Sequence, residues 1–147
     1  MPEKETMRRA RKDKHAGKST STQAGEFVRE EMHHIRGGKH GARSTKQAIA
    51  IGLSKARRAG VKLRASRTSS AATKRSAKSA LRAGRRHHKA SPRRARATRK
   101  ALRREGHRAA SRKALGRQAR SAARRRSHTA RSASARKAAR TRKHASA

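Results

Sequence analysis

The side chains best equipped for chemistry in this chain are its cations. Lys and Arg number 46 against 7 Asp and Glu, a formal net charge of +39. They recur at short spacing through the second half: Arg85, Arg86, Arg93, Arg94, Arg96, Arg99, Lys100, Arg103, Arg104, Arg112, Lys113, Arg124, Arg125, Arg126, Arg136, Lys137, Arg140, Arg142 and Lys143. Lys46, Lys55, Arg57, Arg58 and Arg64 precede them. Each cation that meets a phosphate releases condensed counterions, so log affinity falls with log salt by about 0.9 per contact. Arg outnumbers Lys 31 to 15, and Arg adds bidentate phosphate contacts and insertion into narrow minor grooves. These residues are therefore assigned to nucleic-acid binding.

Other chemistries have little to draw on. Six of the seven carboxylates precede residue 32, and there is no Cys. No nucleophile–base constellation is legible, so no catalytic residue and no cofactor are expected, and the chain reads as a non-enzyme. Gly37-Gly38-Lys39-His40-Gly41 follows a helical pattern rather than a strand, which argues against a phosphate-binding loop. His33, His34 and His40 near Glu30 and Glu31 raise the question of a metal, and Glu30-x-x-His33 has one-turn spacing. Yet adjacent His33 and His34 point about 100° apart on a helix, and no HExxH pattern exists. They read as polar face and loop, with no metal site expected. His87-His88 read as reserve positive charge at lower pH.

Composition limits what can position these groups. Only 14 residues are Val, Ile, Leu, Met or Phe, and nine of them lie between Phe27 and Leu63. Ordering a backbone costs roughly 1–2 kcal/mol per residue. A chain so charged and so poor in large apolar groups reads as mostly disordered with a small all-α element. Residues 1–21 form a basic disordered arm, 22–63 a helical hairpin, and 64–147 an Arg/Ala/Ser-rich basic tail with latent helices. The tail is low in complexity, disordered when free and partly helical once phosphates neutralise it. No apolar run reaches the roughly 20 residues a membrane span needs, so no membrane partner is expected and the protein reads as soluble, cytoplasmic and associated with the nucleoid.

The hairpin has two helices, about 22–36 and 45–59. In the first, Ala24, Phe27, Val28, Met32 and Ile35 share a stripe, with Ser21 or Thr22 as cap, Glu26 in the first turn and Gly37-Gly38 as stop. In the second, Ser44 and Gln47 have capping-box spacing. Ala48, Ile49, Gly52, Leu53, Ala56 and Ala59 share a face, and Gly60 is placed to end the helix with Val61 packing back. So few large side chains make a marginal domain, expected to be stabilised by weak self-association through the hairpin or by DNA, with Ile51 and Leu63 as candidate dimer contacts. Two helices and a turn also invite a helix-turn-helix reading, Gln47 on adenine and Arg57 on guanine. The long connection and the absence of a third helix favour Gln47 as cap partner and cations on phosphate only. Ser91-Pro92-Arg93-Arg94 looks like the minor-groove turns of histone tails. The preferred reading is a helix start, Ser91 as N-cap and Pro92 at the first turn of a helix through Arg104.

The segment Lys46-Gln47-Ala48-Ile49-Ala50-Ile51-Gly52-Leu53-Ser54-Lys55-Ala56-Arg57-Arg58-Ala59-Gly60 carries a resemblance. So do Glu26-Phe27-Val28-Arg29-Glu30-Glu31-Met32 and Gly38-Lys39-His40-Gly41 upstream. Together, over about residues 15–63, they resemble a family of small, very basic bacterial proteins of unassigned function, often described only as DNA-binding. The resemblance implies bacterial origin and cytoplasmic location but no established chemistry. The tail resembles, in composition only, the tails of linker-histone-like bacterial proteins. The expected function is largely sequence-independent DNA binding and compaction, duplex DNA favoured over RNA. The alternative is an RNA-binding or ribosome-associated protein, disfavoured because Phe27 is the single aromatic available for stacking on bases.

Overall fold

The structure, a computed structural model, describes residues 2–86 and 91–145. His87 and His88 lie outside the described residues. Among the described residues seven α-helices run in order: α1 Lys4–His15, α2 Thr20–Arg36, α3 Thr45–Arg58, α4 Ala71–Arg86, α5 Pro92–Arg103, α6 Arg112–Arg124 and α7 His128–Ala145. A 3-10 turn, Arg108–Ala110, precedes α6. The expectation of a mostly disordered chain with a two-helix hairpin is therefore wrong, and so are the disordered arm and the disordered, low-complexity tail. The chain divides into two compact units, residues 1–111 and 112–147.

The pair α2 and α3 follows the local rules. The Ser44 hydroxyl accepts from the Gln47 amide at 3.2 Å, and Gln47 Oε1 accepts from the Arg43 amide at 2.7 Å. Gly60, at φ +94°, ends α3; Val61 N–H reaches back to the Ala56 carbonyl at 3.0 Å and its side chain is buried beside Ala56. Only glycine adopts that backbone without strain. The start of α2 is two residues earlier than expected. Ser19, not Ser21 or Thr22, is the cap and accepts from Thr22 N–H at 3.3 Å. Glu26 consequently lies beyond the first turn, where its Oε2 takes a 2.6 Å hydrogen bond from Arg9 Nε.

That contact belongs to α1, the helix missing from the sequence-based picture. Glu5 pairs with Arg8 and Arg9 within the helix, and Glu26 pairs with Arg9 from α2, so like-charge repulsion is partly cancelled. Gly17 (φ +67°) closes α1 through Lys18 N–H to the Asp13 carbonyl at 2.9 Å. The helix then lays Ala10 and Met7 against a core of Ala24, Phe27, Ala56 and Val61, with Leu53, Ala59 and Leu63 packed around it. Leu63, expected to touch a second copy, is thus used within the chain.

Small residues complete the first unit. α2 and α3 cross so closely that a Cβ on Gly52 would lie 2.7 Å from Val28 Cα. α4 docks on α3 through Ala77, Ala80 and Gly84, and a Cβ on Gly84 would meet the Arg57 carbonyl oxygen at 2.5 Å. Residues 102–110 fold back on the α2–α3 connection. Gly41 N–H donates to the Leu102 carbonyl at 2.9 Å and Ala42 N–H to that of Gly106 at 3.1 Å. The Thr45 hydroxyl donates to the Ala109 carbonyl at 2.7 Å, and Arg36 Nε to that of Ala110 at 2.8 Å. α5 begins at Pro92 after Ser91, as the Pro-at-first-turn reading expects. In the second unit the Ser127 hydroxyl caps α7 by accepting from Ala130 N–H at 3.2 Å.

Candidate nucleic-acid interface

The carboxylates decide which cations are available to a ligand. Glu3 is bonded by Lys39 Nζ at 2.9 Å and lies 2.8 Å from His34 Nε2. Asp13 takes Lys18 at 2.8 Å. Glu30 and Glu31 are 3% and 0% exposed, with Lys55 Nζ 3.7 Å from Glu30 Oε1 and 2.5 Å from Glu31 Oε2. Lys55 is therefore engaged inside the protein and is not a surface contact for phosphate. Arg57 is also diverted: its Nε donates to the Leu63 carbonyl at 2.9 Å, and burial pulls its guanidinium below the ordinary arginine value. Lys46, Arg58 and Arg64 are exposed.

The remaining assigned cations from Arg85 to Lys143 are all exposed. α5 holds six of them in 12 residues: Arg93, Arg94, Arg96, Arg99, Lys100 and Arg103. It has no carboxylate and no buried residue. α6 adds two that sequence reasoning did not single out. Arg117, Arg120 and Arg124 share a face at i, i+3 and i+7, and with Ser121 and Arg125 they line an open cleft of about 380 Å³. The missed signal was the helical spacing itself, invisible when the segment is read as coil. Lys74, Lys78 and Arg82 were likewise passed over; α4 turns its small face to α3 and leaves these exposed.

A second constellation lies in the first unit. Glu31, His34 and His40 bring one donor atom each to within 4.8 Å of one another. α2 supplies Glu31 and His34 at i, i+3, and the turn after it supplies His40. His33, paired with Glu30 in the sequence reading, is exposed. The register that faces inward is Glu31-x-x-His34.

Residues 11–67 match DUF6496, a family of unknown function. Among the curated proteins and the solved structures nothing matches. The matched segment runs from the last turns of α1 through α2 and α3, and it contains Glu30, Glu31, His34, His40 and Lys55. The cation-rich helices α4 to α7 lie beyond it. No helix among the described residues is long and apolar enough to cross a membrane.

The Glu3 carboxyl is held down to about 2 from an ordinary 4.5, first by the hydrogen bond from Lys39 and then by that from His34. A depressed carboxylate stabilises the fold fully above its unfolded value and loses that contribution as pH falls through the folded one. The stability difference between wild type and Glu3→Gln is therefore expected to be constant above about pH 5. It should shrink as pH drops from about 4.5 toward 2. Thermal melts followed by far-ultraviolet circular dichroism check this; a difference that stays flat across the window would refute it.

Proposed function

We propose that the protein is a non-enzymatic, nucleoid-associated factor that binds duplex DNA with little sequence preference and compacts it by neutralising phosphate. The observation that carries this reading is the presentation of cations on acid-free helices. α5 is about 18 Å long at 1.5 Å per residue. Over that length duplex DNA carries roughly 11 negative charges, at one per about 1.7 Å. Six cations on one 12-residue helix can answer about half of them. With no partner these charges repel at i, i+3 and i+4, so a polyanion lowers the free energy of the helix that presents it.

Supporting the same reading, six of the seven carboxylates sit in ion pairs within the first unit. From residue 106 to the end the chain has none. The two residues that could have read bases are engaged within the chain: Gln47 Oε1 accepts from the Arg43 amide and Arg57 Nε donates to the Leu63 carbonyl.

The test is a gel-shift salt titration of the whole protein with duplex DNA, duplex RNA and single strands in parallel. A steep salt slope, preference for duplex DNA and indifference to sequence are expected. A tenfold preference for structured RNA would transfer the reading to the RNA-binding class, and binding unchanged between dilute buffer and near-molar sodium chloride would end it.

A further inference from the structure

We propose that Glu31, His34 and His40 bind one divalent transition-metal ion of the zinc type, and that this ion staples the turn after α2 to the helix. The starting point is an electrostatic imbalance. Glu31 is completely buried and Glu30 nearly so. Neither Glu31 oxygen, nor Glu30 Oε1, has a hydrogen bond of ordinary geometry; their partners are ion-pair contacts with Lys55, His40 and His34. Lys55 approaches Glu31 Oε2 at 2.5 Å and Glu30 Oε1 at 3.7 Å. Among the ion pairs of Glu3, Glu30 and Glu31 there are two lysines, Lys39 and Lys55, for three carboxylates, and the other partners are the imidazoles of His34 and His40; with neutral imidazoles one carboxylate is in excess. Buried charge of that kind is retained when it is paired or when it coordinates a metal. The groups that face the excess charge are two imidazoles.

The donor geometry fits an ion. Glu31 Oε1 and His40 Nε2 are 3.1 Å apart. Zinc bonds of about 2.0–2.2 Å in a tetrahedral site place neighbouring donors roughly 3.3–3.5 Å from each other. The whole triad spans no more than 4.8 Å, so small side-chain shifts suffice to close it. Lys55 occupies the Oε2 side of Glu31 and leaves Oε1 to the histidines.

Each imidazole also has a partner that fixes its orientation. His40 Nδ1 is 3.0 Å from the Gly41 carbonyl, and His34 Nε2 is 2.8 Å from the Glu3 carboxylate. Metal-ligating histidines characteristically give their other ring N–H to a carbonyl or carboxylate in this way. Two imidazoles and a carboxylate suit zinc and its transition-metal neighbours rather than magnesium or calcium, which take oxygen donors.

The placement gives the ion a structural role. His40 immediately precedes Gly41 and Ala42, whose amides hold residues 102–106. The first unit has a core built mainly of alanine, and small cores are commonly reinforced by a metal. A link from α2 to this turn would fix the loop on which the return of α5 depends.

The experiment uses the full-length protein freed of nucleic acid, titrated with zinc chloride alone by isothermal calorimetry. One tight site is expected, with a raised melting temperature in the presence of zinc. His40→Ala and Glu31→Gln should each weaken it by more than the roughly 10–100-fold typical of losing a group that only orients a ligand, while a double His87→Ala, His88→Ala variant should not change it. To stay independent of whether variants fold, the wild type is also modified with diethyl pyrocarbonate with and without zinc, and each histidine is read by mass spectrometry. Protection concentrated at His34 and His40 supports the site. Protection elsewhere, unchanged affinity in the folded variants, or no stoichiometric binding overturns it.

Discussion

A protein ending at Ser111 is expected to keep the fold of its first unit and to lose a measurable part of the salt sensitivity of its hold on duplex DNA. Residues 112–147 form a separate compact unit and carry 13 cations with no carboxylate. If about half of those cations touch phosphate, the log–log salt slope should fall by about 6, at roughly 0.9 per contact. Between about 50 and 200 mM sodium chloride the full-length protein would then lose on the order of 10³ to 10⁴ more affinity than the shortened one. Fluorescence anisotropy at several salt concentrations measures both slopes. Equal slopes for the two proteins would show that α6 and α7 do not meet DNA. Within the longer protein, Arg117→Gln, Arg120→Gln and Arg124→Gln together should remove up to about 3 from the slope, because they share one face and one cleft.

Gly41→Ala should be the most damaging single methyl group that can be added to the first unit. The new Cβ would lie 1.8 Å from the Glu105 carbonyl oxygen and 2.3 Å from its carbon. Both are backbone atoms, so no side chain can swing away to make room. The segment 102–110 must then lift off, and four hydrogen bonds go with it: those from Gly41 and Ala42, from Thr45 and from Arg36. Overpacking costs about 1–3 kcal/mol and each of the four hydrogen bonds about 1 kcal/mol net, so a loss of roughly 5–7 kcal/mol is expected, comparable to the whole stability at the low end of the 5–15 typical of small domains. Gly25→Ala is the matched control. Gly25 lies inside α2 with nothing within 4 Å of its would-be Cβ. It should gain about 0.4–1 kcal/mol, because alanine is the better helix former. Urea melts followed by circular dichroism compare the two; equal stability of both variants would show that the contact at Gly41 is not tight.

Much of α2 and α3 was legible because their signals are local. Ser44 and Gln47 cap α3 from adjacent turns, Gly60 and Val61 end it, and Phe27 and Ile35 repeat at helical spacing. Each of these is decided by neighbours within one or two turns. α1, α4 and the return of residues 102–110 were not legible. Their contacts are made by Ala10, Ala77, Ala80, Gly84, Ala109 and Ala110, residues that a count of large apolar side chains ignores. Such residues stabilise by letting backbones approach, which favours dispersion contacts and backbone hydrogen bonds. Nothing in a tract of Arg, Ala and Ser marks which alanine faces which partner.

The inward pair Glu31 and His34 carries a signal in the sequence. Glu31 stands four residues after Phe27 and four before Ile35, on the buried stripe itself. The one-turn spacing Glu30-x-x-His33 and the reading of the histidines as polar face and loop pass it over. That reading fails where a second helix brings its own counter-charge, as α3 does with Lys55.

The chain's own order of residues settles the charge excess, its concentration after residue 64, and the caps that begin and end α2 and α3, because those are sums over near neighbours. Folding in three dimensions settles which cations are consumed inside, which carboxylates are buried, and which glycines must stay bare. These are properties of pairs of surfaces brought together from distant positions, and a contact between Gly41 and Glu105 has no counterpart in either local stretch.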